Sequence, residues 1–330
     1  MKFEILEKEK VAEFLEQTNL IAYSDSFAGF AKSVYGSRRF FVGIKEKGQL
    51  KAFFPVFESN KNNQKIEEVP LFIYTEMFFI DPEYYLDGDL LGKELQKFLG
   101  ADILRLNLYN FNGSSNLKTE SFKQIFVAMV ATLKGKNSHE DYLRSSLSKN
   151  ARSKIYKSYN VGLELASLSE DNLAEFYGLY SEHVKFLGSK PHPIEYFQKM
   201  IKAYTFGKDL FMLGVRHKGK LITANLFIAN KDYVEVRFLA DDINFRHLYP
   251  NNFLYSELIK WAFSKGINYI DFGGIPKNMR TNIEFKTSFG AREYPIYTKY
   301  FFRSYWQELK FKFYRKLLYW KKYRQFVFKK

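Results

Sequence analysis

The chain contains no cysteine. Disulfides, thiolate nucleophiles and Cys-ligated zinc or iron–sulfur centres are therefore excluded. Histidine is scarce: the five residues stand at 139, 183, 192, 217 and 247, and none falls in a His-x-x-x-His spacing. A structural or catalytic metal is not expected. No Gly-x-Ser-x-Gly elbow occurs, so with cysteine also missing an acyl-enzyme is not expected and any acyl transfer should be direct. No run approaches the roughly 18 apolar residues that a membrane-spanning helix needs. The start, Met1 to Lys8, is charged throughout and lacks the apolar core of a signal peptide. The expected location is the cytoplasm, with contact at the inner face of the membrane left open.

What is present is a basic, aromatic-rich chain of 330 residues with 46% hydrophobic residues, enough for a sizeable core and for two units. The 35 Phe and 24 Tyr are a poor functional guide, because AT-rich codon usage produces the same bias. The net charge of +15 is uneven: residues 301–330 hold ten Lys/Arg and one Glu. In that tail Trp306, Leu309, Phe313, Leu317 and Trp320 recur at helical spacing among the cations. A basic amphipathic helix of this kind lies on an anionic membrane surface, contacts RNA phosphates, or packs on its domain with a solvated rim.

An internal repeat is visible. Phe40–Phe57 aligns with Phe211–Ile228 and matches at Phe, Gly, Lys, Gly and Leu. Each copy reads as strand, Lys-Gly turn, strand. The offset is near half the chain, which points to duplication of one α/β unit. The spacing predicts helices over 8–17, 24–36 and 88–99, strands over 39–57, 70–80, 102–109 and 124–133, and a connecting helix over 139–159. The second half reads as strand 161–168, helices 170–188 and 193–205, strands 209–217, 220–230 and 232–240, helix 251–265, and strands 267–273 and 293–301. Ser59–Gln64, 112–119 and 135–138 read as polar loops. The expected class is α/β (α+β) with mixed, mostly antiparallel sheets flanked by helices. The expected units are 1–137, 138–300 and a C-terminal helix over 301–330.

The most informative block is Asp271-Phe272-Gly273-Gly274-Ile275, where a strand runs into two glycines, followed by Phe285-Lys286-Thr287-Ser288-Phe289-Gly290. Paired glycines let backbone approach a ligand. A lysine between aromatics is partly dehydrated, so its charge acts strongly on an oxyanion or phosphate. Asp-Phe-Gly also occurs in kinases, but no His-Arg-Asp loop or Gly-rich phosphate loop precedes it here. The block resembles the C-terminal signature of the FemAB-like acyltransferases of the GNAT superfamily. The basic helix Lys149 to Lys157, the stretch Phe176 to Tyr180 with Pro191 to Phe197, and Arg246 to Asn252 with its helix fit the same pattern, from about residue 140 to 291.

The resemblance implies tandem GNAT-like units, with the active cleft mainly in 150–291. It implies transfer of an acyl or aminoacyl group to an amine of a cell-envelope precursor of peptidoglycan or surface-glycan type, phosphate-bearing or lipid-linked. The donor would be acyl-CoA or aminoacyl-tRNA, and no metal is involved. Lys286 is the expected catalytic residue, stabilising an oxyanion or phosphate; the general base is left unassigned. Asp271 is expected to fix the Gly-Gly turn. Gly273 and Gly274 are expected at the ligand, with Arg152 and Lys154 bordering the cleft.

Arg246, Tyr249 and Asn251 stand where acetyl-CoA-dependent relatives carry a Gly-rich pyrophosphate loop. Pro250 and Asn251 suit a helix start, but Gly-x-Gly is missing, which leaves room for a tRNA donor. Lys277 and Arg280, in a loop before Lys286, could grip a phosphate or carboxylate, or simply be exposed. The alternatives are an acetyl-CoA-dependent sugar N-acetyltransferase, or a non-catalytic protein that binds RNA or membrane on a degenerate GNAT fold.

Overall fold

The computed structural model describes residues 1–61, 64–68, 77–109 and 117–327. Much of the predicted strand 70–80, part of the loop 112–119 and the side chains of Leu317, Leu318, Trp320 and Phe326 lie outside the described residues. The first half holds β1 (Lys2–Leu6), α1 (Ala12–Leu15), α2 (Asp25–Tyr35), β2 (Arg38–Glu46), β3 (Gln49–Lys61), β4 (Gln64–Glu68), β5 (Phe78–Phe79), β6 (Leu86–Asp87), α3 (Gly88–Leu99), β7 (Ile103–Tyr109), β8 (Leu117–Lys118) and β9 (Lys123–Thr132). Two helices follow, α4 (His139–Ser146) and α5 (Lys149–Tyr159). The second half holds β10 (Leu163–Leu168), α6 (Leu173–Phe186), α7 (Ile194–Ala203), β11 (Leu210–His217), β12 (Lys220–Asn230), β13 (Tyr233–Asp241), α8 (Pro250–Ser264), β14 (Tyr269–Pro276), α9 (Arg280–Thr287), β15 (Ala291–Phe302) and α10 (Tyr305–Val327).

One mixed sheet runs in the order β1-β2-β3-β4-β7-β15-β9-β14-β13-β12-β11-β10, with β5 against β3. Its two ends mirror each other. Each starts with an antiparallel meander, β1-β2-β3-β4 or β10-β11-β12-β13, and ends in a parallel pair, β4 with β7 or β13 with β14. The last strands cross over: β9 of the first half pairs with β14, β15 of the second pairs with β7, and β9 and β15 pair with each other. This is the tandem, mostly antiparallel α/β architecture expected from the repeat.

The repeated hairpins match in detail. Lys47-Gly48 and Lys218-Gly219 both turn through positive φ, at 49° and 82° and at 51° and 79°, the backbone of a type I′ turn. Both hairpins carry a bulge at the same place, Ile44/Lys45 and Val215/Arg216. A Cβ on Gly43 would fall 2.6 Å from Leu50 and 2.7 Å from Leu6; on Gly214 it would fall 2.6 Å from Leu221 and 3.1 Å from Leu168. The glycine therefore makes room for the same leucine in both copies.

The core has three parts. One joins the halves: Phe27, Phe30, Phe41 and Phe53 merge with Phe176, Tyr196, Phe197, Tyr204 and Leu226. The second packs α5 on α8 through Ile155, Phe253, Leu254 and Leu258, and α8 onto β10, β11 and β12. The third packs α3 through Leu91, Leu95 and Leu99 onto β7 and β15.

Three expectations change. The helix predicted over 139–159 is two, because Leu147 is extended and the Ser148 hydroxyl caps α5 by accepting from the Ala151 N–H. Ser59 is buried within β3, which runs on to Lys61, so Ser59–Gln64 is not a wholly exposed loop. Arg280 opens helix α9 rather than sitting in a loop.

Candidate active site

The site begins where two parallel strands part. β13 and β14 pair only at Tyr233↔Tyr269, Val234↔Ile270 and Glu235↔Asp271. β13 then continues along β12 to Asp241, while β14 follows β9 with a register shift between Asp271 and Gly274. A cavity of about 360 Å³ opens in the gap, with Glu235–Leu239 on one wall and Phe272, Gly273 and Gly274 on the other. Fully buried Asp271 holds the turn: its carboxylate accepts the Gly273 N–H at 2.7 Å and the Tyr233 hydroxyl at 2.5 Å. Gly273 has φ +88°, and a Cβ there would lie 3.3 Å from the Val236 carbonyl oxygen. A side chain is excluded both by backbone strain and by space.

Lys286 reaches this cavity from α9, which is anchored by buried Ile283 and followed by buried Phe289. Its ammonium donates a hydrogen bond to the Tyr255 hydroxyl of α8. It also lies over three rings, Tyr255 at 4.2 Å, Phe272 at 5.1 Å and Phe285 at 5.8 Å. Burial pulls the Lys286 pKa down to about 7, against the charge of Asp271, which works to raise it. Burial pushes the Tyr255 phenol well above its ordinary range. At neutral pH Lys286 is therefore near the midpoint between an ammonium and an amine, a state suited to a group that both stabilises charge and yields a proton.

On the facing wall Glu235 and Arg237 form an ion pair, each side chain 7% exposed. Burial pulls the Arg237 pKa down, but Glu235 overrides it and the guanidinium stays charged. His192, just before α7, lines the same cavity and stacks on Tyr196 at 4.2 Å, with Phe238 edge-on at 5.9 Å. Burial, with Arg237 adding to it, lowers the His192 pKa, so the imidazole is neutral at pH 7. Arg105 and Asn107 of β7, Phe126 of β9 and Ile296 of β15 complete the lining. The first half thus contributes to the cavity.

Of the residues singled out in the sequence, Gly273, Gly274 and Lys286 come together. The other seven do not line the cavity. Lys154 lies over the Tyr249 ring at 5.7 Å. Tyr249 precedes α8 with φ +58° and offers no side-chain cap. Arg246 donates through Nε to Asp241 at 2.7 Å, and Asn251 joins Thr223 at 2.8 Å and Asp241 at 3.3 Å. Arg152 closes the end of α4 through the carbonyls of Leu147 at 2.6 Å and Arg144 at 3.0 Å. Lys277 donates to Gln124 at 3.1 Å, and Arg280 lies 4.0 Å from Glu293. Sequence reasoning missed Arg105, Arg237 and Tyr255, and it placed His192 only in a segment of general interest. The one available signal was Glu235 and Arg237 at alternate positions of an otherwise apolar strand, which puts both charges on one face.

Comparison with known proteins bears on the fold. The acetyltransferase (GNAT) domain family matches residues 144–287. The UDP-N-acetylmuramoylpentapeptide-lysine N(6)-alanyltransferase of Weissella viridescens is 29% identical over 126 residues. That match covers 38% of this chain and 37% of the relative, so the chain matches little more than a third of its length. Among solved structures, FemX superposes with a TM-score of 0.65 at 14% identity, covering 89% of this chain and 97% of FemX. A tandem GNAT protein from the clavulanic acid biosynthesis pathway superposes with a TM-score of 0.53 at 10% identity, covering 91% and 98%. At such identities the superpositions speak for the fold alone. Residues 144–287 thus match the acetyltransferase (GNAT) domain family, and the chain as a whole shares the fold of FemX.

Proposed function

We propose that the protein transfers an aminoacyl group from aminoacyl-tRNA to a primary amine of a phosphate-bearing peptidoglycan or surface-glycan precursor. The observation that carries the reading is the Lys286 amine, held among aromatic rings at the cavity where β13 and β14 part. The named reaction of the Weissella relative, alanyl transfer to a lysine N(6), supplies the class of acceptor. The Gly-x-Gly of a pyrophosphate loop is missing before α8, where Arg246 is instead tied to Asp241, and this favours the tRNA donor over acyl-CoA.

In this reading the acceptor amine attacks the ester carbonyl of the donor. A C–N bond forms, and the C–O bond to the terminal ribose breaks. The neutral imidazole of His192 takes the proton that the acceptor ammonium must lose. The Lys286 ammonium stabilises the oxyanion in a poorly hydrated site, where its charge counts for most, and gives a proton to the leaving ribose oxygen; the attacking nitrogen gives its second proton to the Lys286 amine, and the proton held by His192 is released to solvent. Glu235 and Arg237 fix the facing wall. No acyl-enzyme is formed.

The test is a transfer assay with charged tRNA and a UDP-linked muramoyl pentapeptide ending its side chain in an amine, run beside acetyl-CoA with the same acceptor. Transfer from charged tRNA is expected. Transfer from acetyl-CoA alone, with saturable thermal stabilisation by CoA, would replace this reading with a CoA-dependent N-acetyltransferase.

A further inference from the structure

Among the described side chains, Gln307 and Phe311 hold α10 to the body. Gln307 donates to Asp102 at 2.9 Å, and Phe311 packs on Tyr300 at 4.9 Å and Phe302 at 5.2 Å. These two positions, one helical turn apart, fix which way the helix faces. The opposite stripe, Trp306, Leu309 and Phe313, is therefore turned outward: Trp306 is 71% exposed and Phe313 65%. Lys310 and Lys316 flank these apolar residues, one on either side of the stripe. Lys93, Lys97 and Arg303 line an open groove beside the first turn of α10, so the positive surface continues onto the body.

We propose that the outward face of α10 docks the protein on an anionic phospholipid surface. The inference concerns a surface that the proposed reaction does not use, so it stands or falls separately from that reading. Three observations select this occupant. The face combines a stripe of large apolar side chains with cations on its flanks, the arrangement that puts rings and aliphatic carbons below the headgroups and ammonium groups at the phosphates. Residues 301–330 carry ten Lys/Arg and one Glu, and each cation near an anionic leaflet adds about 1 kcal/mol. Leu309 and Phe313 would gain little from an RNA backbone, whose attraction is for the cations alone. Docked this way, the protein would meet lipid-linked substrates in two dimensions.

The test is co-flotation of the full chain with vesicles of phosphatidylcholine containing roughly 30% phosphatidylglycerol, against vesicles of phosphatidylcholine alone. Binding to the anionic vesicles and not to the neutral ones is expected. The double variant Trp306→Ser, Phe313→Ser should lose about tenfold or more of that binding while keeping its thermal unfolding temperature, because both side chains are exposed. No flotation with anionic vesicles would overturn the proposal. So would undiminished binding in the double variant, or competition by bulk tRNA that removes both proteins from the vesicles equally.

Discussion

The two ends of the sheet share a backbone and differ in chemistry. Both have the Lys-Gly turn, the bulge, the glycine that seats a leucine, the meander and the parallel pair. In the first half β4 runs against β7, which contains no glycine, and Glu68 stands opposite Arg105. In the second half Glu235 stands opposite Asp271, and the chain breaks away at Gly273. The helices that precede these strands differ as well. The Asp87 carboxylate caps α3 by accepting the N–H groups of Asp89 and Leu90, both at 2.9 Å, whereas no side chain caps the start of α8. One copy caps its helix start with a side chain; the other leaves it uncapped and carries the Gly-Gly break in its strand. The duplicated unit is thus a scaffold: the second copy carries the Gly-Gly turn, His192 and Lys286, and the first adds Arg105, Asn107 and Phe126 to the lining.

Breaking the facing wall should have the largest effect on stability. Glu235→Gln leaves the buried Arg237 guanidinium without its carboxylate, and a loss of roughly 3–5 kcal/mol is expected in denaturant unfolding.

His192→Gln sharpens the comparison next. A drop in kcat of about a hundredfold is expected, with KM little changed. The pH profile carries the sign. Transfer needs His192 neutral and Lys286 protonated, so the rate should fall on the alkaline side as pH passes about 7, where Lys286 loses its proton. It should fall on the acid side below the ordinary histidine range, because the His192 pKa is lowered. The variant should keep the alkaline limb and lose the acid one.

The scaffold was legible in the sequence because its signals are local. The hairpins announce themselves through Lys47-Gly48 and Lys218-Gly219, and α3 through Asp87 at its start and Gly100 at its end, where φ is +60°. Lys286, Gly273 and Gly274 were legible for the same reason, within one short block. The break between α4 and α5 was not, since it turns on the Ser148 hydroxyl and on Arg152 reaching back to Arg144 and Leu147. Nor were the other residues that line the cavity with Lys286. Tyr255, Arg237, His192 and Arg105 are spread over more than 140 positions and meet only through the parting of β13 from β14 and the crossover of β9 and β15. The polar positions around the start of α8 looked like an anion site because a cation and a helix start coincide there; the fold ties Arg246 and Asn251 to Asp241.

Two smaller effects refine the contrast. Gly273→Ala should destabilise by about 1–3 kcal/mol, since φ is positive and the Val236 carbonyl is close, and it should also lower the transfer rate. Asp87→Ala removes the cap of α3 and should cost about 1 kcal/mol, with the transfer rate unchanged. Equal loss of rate in both would mean that the first half takes part in the chemistry.

The most direct test is aminoacyl transfer by Lys286→Met, measured beside thermal unfolding at pH 6. Below pH about 7 the folded chain must hold a buried ammonium that the unfolded chain keeps hydrated, a cost that fades as pH rises toward the ordinary lysine pKa. Methionine removes that cost. The account predicts a loss of kcat of about a hundredfold or more in a protein at least as stable as the parent at pH 6. A variant that transfers at the parent rate would contradict the assignment of Lys286 and, with it, the placing of the chemistry where β13 and β14 part.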